Sequence, residues 1–132
     1  MASGLAVNRE DTRHRAGHAD EILAVVAFRV DVAREHGAVR ISPVGELDLA
    51  TIGRLREHTS EAMAAGPDRL ILDLRETSFL DSSAIHLAAE ILEWAERTGT
   101  QFAVIPGPRV VQRTFAVAGL SERLPFVDVP RA

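Results

Sequence analysis

The chain has 132 residues, of which 46% are apolar and 26% charged, the composition of one ordinary globular domain with a single core. The formal net charge of −4 argues against a nucleic-acid-binding protein, because such proteins usually carry a basic stripe. The chain contains no cysteine, which excludes disulfides, thiol catalysis and thiolate metal sites. No apolar run approaches the ~20 residues that span a bilayer, and no signal peptide is predicted. The expected location is a reducing cytoplasm, without membrane insertion.

The first part of the chain is polar and unpatterned. We predict a flexible N-terminal tail over residues 1–22, followed by one domain over residues 23–132. His14 and His18 stand four residues apart, as two metal ligands on a helix would. No third ligand is fixed near them, so no metal site is predicted.

The domain is predicted to begin with a β-hairpin. Apolar and polar residues alternate over residues 26–33, and Val39 and Ile41 resume the alternation after a turn at residues 34–37. Two alternating runs joined by a short loop that contains glycine are typical of an antiparallel hairpin.

Strands and helices then alternate along the chain. Leu49, Ile52 and Leu55 open an apolar helical face that continues to Met63, with Asp48 placed to accept a backbone N–H near the start of this helix. The remaining predicted elements are a buried strand (70–74), a helix from Asp81 to about Arg97, a strand (102–105), a helix from Pro108 to Gly119 and an edge strand (126–129). The order β-β-α-β-α-β-α-β requires crossovers, which predicts an α/β domain with a small mixed, mostly parallel sheet and helices packed on it.

The stretch Asp81-Ser82-Ser83 opens the most apolar of these helices. With ~100° per residue, Ser82 lies on the polar face one turn before His86, whereas Ser83 lies at the border of the buried face. Ser82 is therefore the hydroxyl predicted to be exposed. The unpaired N–H groups and the dipole at a helix N-terminus favour an anion there. The predicted buried face is Ala84, Leu87, Ala88, Ile91, Leu92 and Ala95.

The Asp81-Ser82-Ser83 stretch also has interpretations other than an exposed hydroxyl at an anion-binding helix start. Asp-Ser-Ser before an apolar run is also an ordinary helix cap. Asp81, Ser82 and His86 have the composition of a catalytic triad, but residues on one short helical turn rarely reach the in-line geometry that a triad needs. A glycine-rich phosphate loop and the nucleophile-elbow motif are both missing. We therefore predict no catalytic residue, no cofactor and no enzymatic activity.

The pattern resembles the STAS domain and, within it, the bacterial anti-sigma factor antagonists. The resemblance covers residues from about Val26 to Val129. The residues that carry it are Gly45-Glu46-Leu47-Asp48, Leu70-Ile71-Leu72-Asp73-Leu74, Phe79-Leu80-Asp81-Ser82-Ser83, Arg113-Thr114-Phe115 and Ala118-Gly119-Leu120.

The resemblance implies a function in stress response and transcription regulation by partner switching. Such an antagonist binds an anti-sigma factor that is also a serine kinase of the histidine-kinase-like ATPase fold, and thereby releases a sigma factor. The kinase phosphorylates a serine that maps onto Ser82, and a PP2C-type phosphatase removes the phosphate. A homodimer is a further expectation. The partner-binding residues implied by the resemblance and by the helical face are Glu46, Asp48, Asp81, Ser82, Ser83 and His86.

One residue departs from the family pattern. Many antagonists have glycine after the second serine, where this chain has Ala84. Alanine is the better helix former, so we expect a stiffer first turn and a narrower choice of kinase. The alternative function is a STAS subunit of an ABC-type lipid transporter, or a scaffold component of a stress-signalling complex. That function would use the same helix without a phosphate cycle.

Overall fold

The computed structural model describes Ala6–Asn8 and residues 27–128. The pair His14 and His18 lies outside these residues, as does most of the predicted tail. The described strands are β1 (Ala6–Asn8), β2 (Arg29–Glu35), β3 (Ala38–Leu47), β4 (Arg69–Asp73), β5 (Thr77–Leu80) and β6 (Gln101–Ile105); the helices are α1 (Ile52–Ala64), α2 (Ser82–Thr98) and α3 (Arg109–Val117).

The strands form a mixed sheet of order β1-β2-β3-β4-β6, with β5 paired to β3 outside that path. β2 and β3 form the predicted antiparallel hairpin, in which Glu35 lies opposite Ala38. His36 and Gly37 turn the chain with φ of 52° and 84°, the positive values of a type I′ turn. The β3–β4, β3–β5 and β4–β6 pairs are parallel. The predicted single α/β domain with a mixed, mostly parallel sheet is confirmed.

Three strands differ from the prediction. β1 lies within the predicted flexible tail, but its three residues pair antiparallel with β2. β5 lies between the predicted strand at residues 70–74 and the predicted helix from Asp81, where the sequence pattern predicts no strand. The predicted last strand is reduced, in the described residues, to one bridge between Val104 and Phe126. Each of these segments is short and forms a strand because it pairs with a neighbouring strand. The apolar–polar pattern within such a short segment does not reveal that pairing.

The core lies between the sheet and its helices. Val30, Val32 and Ile41 are buried on one face of the β2–β3 hairpin, as their alternation predicts. α1 packs over β2 and β3, while α2 packs over β6. The buried face of α2 consists of Ala84, Ile85, Leu87, Ala88, Ile91 and Ala95. Leu92, which the pattern places on this face, is only partly buried. Each fully buried Leu or Ile side chain stabilises the folded domain by about 1.5–3 kcal/mol relative to an exposed one.

The last residue of β4, Asp73, is a buried carboxylate that lies just before the turn to β5. Asp73 is 5% exposed and accepts hydrogen bonds from Arg75 Nε at 3.0 Å and Arg75 Nη2 at 2.7 Å. The pKa of Arg75 is raised above its ordinary value, because the hydrogen bond and the charge of Asp73 both favour the guanidinium. This pair fixes the turn between the two strands.

Across the described ranges, no helix is long and apolar enough to cross a membrane.

Candidate partner-binding site

β5 brings the two sequence motifs of the predicted site together. It pairs in parallel with the last part of β3, so that Leu47 lies opposite Leu80. The chain then turns into α1 after Leu47 and into α2 after Leu80. The starts of both helices are therefore neighbours at one end of the domain.

The loop between β3 and α1 is closed by its own side chains. Asp48 Oδ1 accepts hydrogen bonds from the backbone N–H groups of Ala50 at 3.0 Å and Thr51 at 3.2 Å. Thr51 Oγ1 accepts from the N–H of Asp48 and donates to the carbonyl of Glu46, both at 2.9 Å. Asp48 thus satisfies N–H groups as predicted, but in a turn that precedes the first helical residue, Ile52.

Asp81 joins this loop to α2. Its Oδ1 accepts a hydrogen bond from the N–H of Ser83 at 2.9 Å, which makes it the N-cap of α2. Its Oδ2 accepts from the N–H of Leu49 at 3.1 Å. The N–H of Asp81 also donates to the carbonyl of Leu47 at 3.2 Å. One carboxylate therefore holds both loops in place.

The two serines separate as the helical face predicts. Ser82 and His86 are exposed, while Ser83 is half-buried. Ala84 is 4% exposed, so its methyl group packs in the core. Any effect of this alanine on a partner would have to act through the helix, since the side chain cannot contact a partner directly.

The sequence pattern does not reveal three exposed apolar side chains, which lie in the β3–α1 loop, on β5 and at the end of α3. Leu49 is 78% exposed, although the helical pattern placed it on the buried face of the first helix. Phe79, on β5, is 43% exposed, and Val117, at the end of α3, is 83% exposed. Leu49 is tied to Asp81 by its N–H, and Phe79 lies two residues before Asp81.

An open groove of about 660 Å³ runs between α2 and α3. Ser82 and His86 line it from α2, and Arg113, Thr114 and Val117 line it from α3. The groove also contains Ile85, Ala89, Ala118 and Leu120. From the sequence, Arg113 and Thr114 contribute only to the family resemblance, because their place in the same groove as Ser82 depends on how α3 packs.

The charges at the site do not form a catalytic triad. Both oxygens of Asp81 accept from backbone N–H groups, those of Ser83 and Leu49, so the carboxylate is not directed at His86. Within the described part of the chain, no three His, Asp or Glu side chains lie close enough to hold a metal ion. Exposed apolar side chains grouped around a polar centre are typical of a surface that contacts another protein.

Comparison with known proteins assigns the family. The STAS domain model matches residues 29–130, and the chain belongs to the STAS domain family. It is 31% identical over 96 residues to the anti-sigma-F factor antagonist RsfB of Mycobacterium tuberculosis, covering 73% of this chain and 78% of that protein.

Solved structures share the fold. An anti-sigma factor antagonist from Mycobacterium paratuberculosis has a TM-score of 0.67 and 25% identity, covering 76% of this chain and 85% of that one. The phosphorylated form of the Bacillus cell fate determinant SpoIIAA has a TM-score of 0.61 and 23% identity, covering 80% of this chain and 93% of that one.

Proposed function

We propose that this protein is an anti-sigma factor antagonist, whose binding to the anti-sigma factor is switched off by phosphorylation of Ser82. The observation that carries the proposal is the exposed Ser82 hydroxyl at the start of α2. The exposed Val117 lines the same groove as Ser82, and the exposed Leu49 is joined through its N–H to Asp81, the residue before Ser82. The exposed Phe79 lies three residues before Ser82. A protein partner that covered these side chains would also cover Ser82.

The physical basis of the switch is a change of charge inside a docking surface. A phosphate on Ser82 adds nearly two negative charges and three acceptor oxygens. Asp81 and Asp48 already carry negative charge in the neighbouring loops. A partner that docks on this surface would have to desolvate the phosphate, which costs free energy unless a new cation pairs with it. Phosphorylation should therefore weaken docking without unfolding the domain.

The names of the relatives support this function. RsfB is described as an anti-sigma-F factor antagonist, and the fold is also that of a protein solved in a phosphorylated form. By the family resemblance, the partner is a serine-kinase anti-sigma factor of the histidine-kinase-like ATPase fold, and a PP2C-type phosphatase removes the phosphate. The place of action is the cytoplasm, where a released sigma factor would find RNA polymerase.

In this proposal the protein is a substrate and a binding partner without catalytic activity of its own. The engagement of Asp81 by two backbone N–H groups supports that role, because a general base at His86 would need a carboxylate to orient it. Absence of Ser82-dependent ester hydrolysis would agree with it. The homodimer is a separate prediction, which sedimentation velocity of the unphosphorylated protein checks.

The test is phosphorylation by the serine-kinase anti-sigma factor encoded in the same genome. The wild-type protein and the Ser82→Ala and Ser83→Ala variants are incubated with the kinase and Mg²⁺–ATP, and the modified residue is mapped by mass spectrometry. We expect phosphate on Ser82 in the wild type and in Ser83→Ala, and none in Ser82→Ala. Full modification of Ser82→Ala would refute the site.

Binding is measured with the same kinase by titration calorimetry. Phosphorylated protein should bind at least tenfold more weakly than unmodified protein. If the phosphorylated protein binds equally well, the phosphorylation switch is refuted. If pull-downs recover a transporter ATPase instead of the kinase, the result favours the alternative STAS function, a subunit of a lipid transporter or a signalling scaffold.

A further inference from the structure

The groove between α2 and α3 has an arginine in the same lining as Ser82. Ser82 lines the groove from α2, and Arg113 lines it from α3. Among the lining residues that the structure describes, Arg113 and His86 are the ionisable ones, and none is a carboxylate. Within Ala6–Asn8 and residues 27–128, the side chain of Arg113 has no hydrogen bond or ion pair.

We propose that Arg113 is the internal counter-ion of phosphorylated Ser82, and that the resulting ion pair bridges α2 and α3 across the groove. This inference rests on the proposed function, since it needs the phosphate on Ser82.

The charges around Ser82 favour a phosphate that points into the groove. Asp81 precedes Ser82 and does not line the groove; its carboxylate is fixed by the N–H groups of Ser83 and Leu49 and repels a second anion. On the groove side, an arginine guanidinium offers two parallel N–H donors, which match the oxygens of a phosphate. Among the described residues Arg113 has no ion pair that it would have to give up when it turns to the phosphate.

The bridge has a consequence for partner binding. It would lie across the open side of the groove, so a partner would lose access to the apolar lining, including Val117, and would lose Arg113 as a contact. Phosphorylation would then block docking in two ways: by an ion pair that covers the groove, and by the part of the phosphate charge that one guanidinium leaves uncompensated.

The experiment uses protein with phosphoserine incorporated at position 82 during translation, so that no kinase is required. The second ionisation of the phosphate is followed by ³¹P NMR during a pH titration of the wild type, Arg113→Gln and Arg109→Gln. Arg109 is an exposed arginine on the same helix that does not line the groove, so its variant controls for the loss of one positive charge.

An ion pair with the phosphate should lower its pKa from the ordinary value of about 6, because an adjacent opposite charge favours the ionised form. We expect the pKa in Arg113→Gln to be higher than in the wild type by about half a unit or more, and that in Arg109→Gln to match the wild type. Equal values in Arg113→Gln and the wild type would overturn the proposal, as would equal shifts in both variants.

The two proposals fail separately. A kinase that leaves Ser82 unmodified would refute the proposed function, while the phosphate titration would still report on Arg113. A Ser82 that is phosphorylated normally but has the same pKa with and without Arg113 would refute only the counter-ion.

Discussion

Replacement of Asp81 by alanine should destabilise the domain by about 2 kcal/mol. The variant removes the N-cap hydrogen bond to Ser83, a loss of typically ~1 kcal/mol. It also removes the hydrogen bond from the N–H of Leu49 at 3.1 Å. A hydrogen bond to a charged group is worth about 1.5–3 kcal/mol, and solvent exposure of this one reduces its contribution to about 1 kcal/mol.

Asparagine at the same position separates the two contributions. Asp81→Asn keeps one carbonyl oxygen for the N–H of Ser83, and asparagine is as good an N-cap as aspartate. Its NH₂ group cannot accept from Leu49. We therefore expect Asp81→Asn to lose about half of the free energy that Asp81→Ala loses.

The free energy of unfolding is measured by urea denaturation followed by circular dichroism. Thermal melts should show a decrease in Tm of roughly 3–5 °C per kcal/mol for a domain of this size. Glu93→Ala, on the exposed face of α2, is the control and should stay within about 0.5 kcal/mol of the wild type. An Asp81→Ala variant as stable as this control, or an Asp81→Asn variant that loses as much as Asp81→Ala, would contradict the separate contributions of the two hydrogen bonds.

The remaining predictions use the same denaturation assay. Gly53→Ala should stabilise the domain by about 0.5–1 kcal/mol, because Gly53 lies in α1 and its added Cβ meets nothing within 4 Å; a loss of stability would contradict this. Gly107→Ala should destabilise by about 1–3 kcal/mol, since its Cβ would lie 2.6 Å from the carbonyl oxygen of Leu74, and an unchanged midpoint would show that the turn yields freely. Thr77→Val should cost about 1–3 kcal/mol, because the buried Thr77 hydroxyl donates to the carbonyl of Pro43 at 2.8 Å; a neutral effect would mean that water replaces this donor.

The sequence was sufficient for the features that depend on helical period. The exposure of Ser82 and the half-burial of Ser83 follow from the angle of each residue to the apolar face of α2, and that face is long enough to fix the rotation of the helix. The C-terminal end of α2 was equally predictable, because Gly99 adopts the left-handed conformation, with φ of 77°, that glycine accepts without strain.

The features that depend on tertiary contacts could not be predicted. Leu49 fits the helical pattern, but the turn closed by Asp48 and Thr51 delays the helix to Ile52 and leaves Leu49 in solvent. β5 has two buried residues at its ends and two exposed ones between them, so it lacks the alternation of a strand. The groove between α2 and α3 could not be predicted because it depends on where α3 lies. That position is set by packing of α3 against β5, which is distant from α3 in the sequence.

The attachment of Asp81 to the loop of Leu49 has a consequence for how an enzyme recognises Ser82. The hydroxyl is presented on the first turn of a folded helix, and the geometry of that turn depends on a contact between residues 32 positions apart. A synthetic peptide that covers only the start of α2 lacks this contact and is too short to hold a helix in water. Peptide libraries would therefore report a poor substrate, and a consensus sequence around Ser82 would say little about specificity. The substrate that an enzyme reads here is the three-dimensional surface of the intact domain.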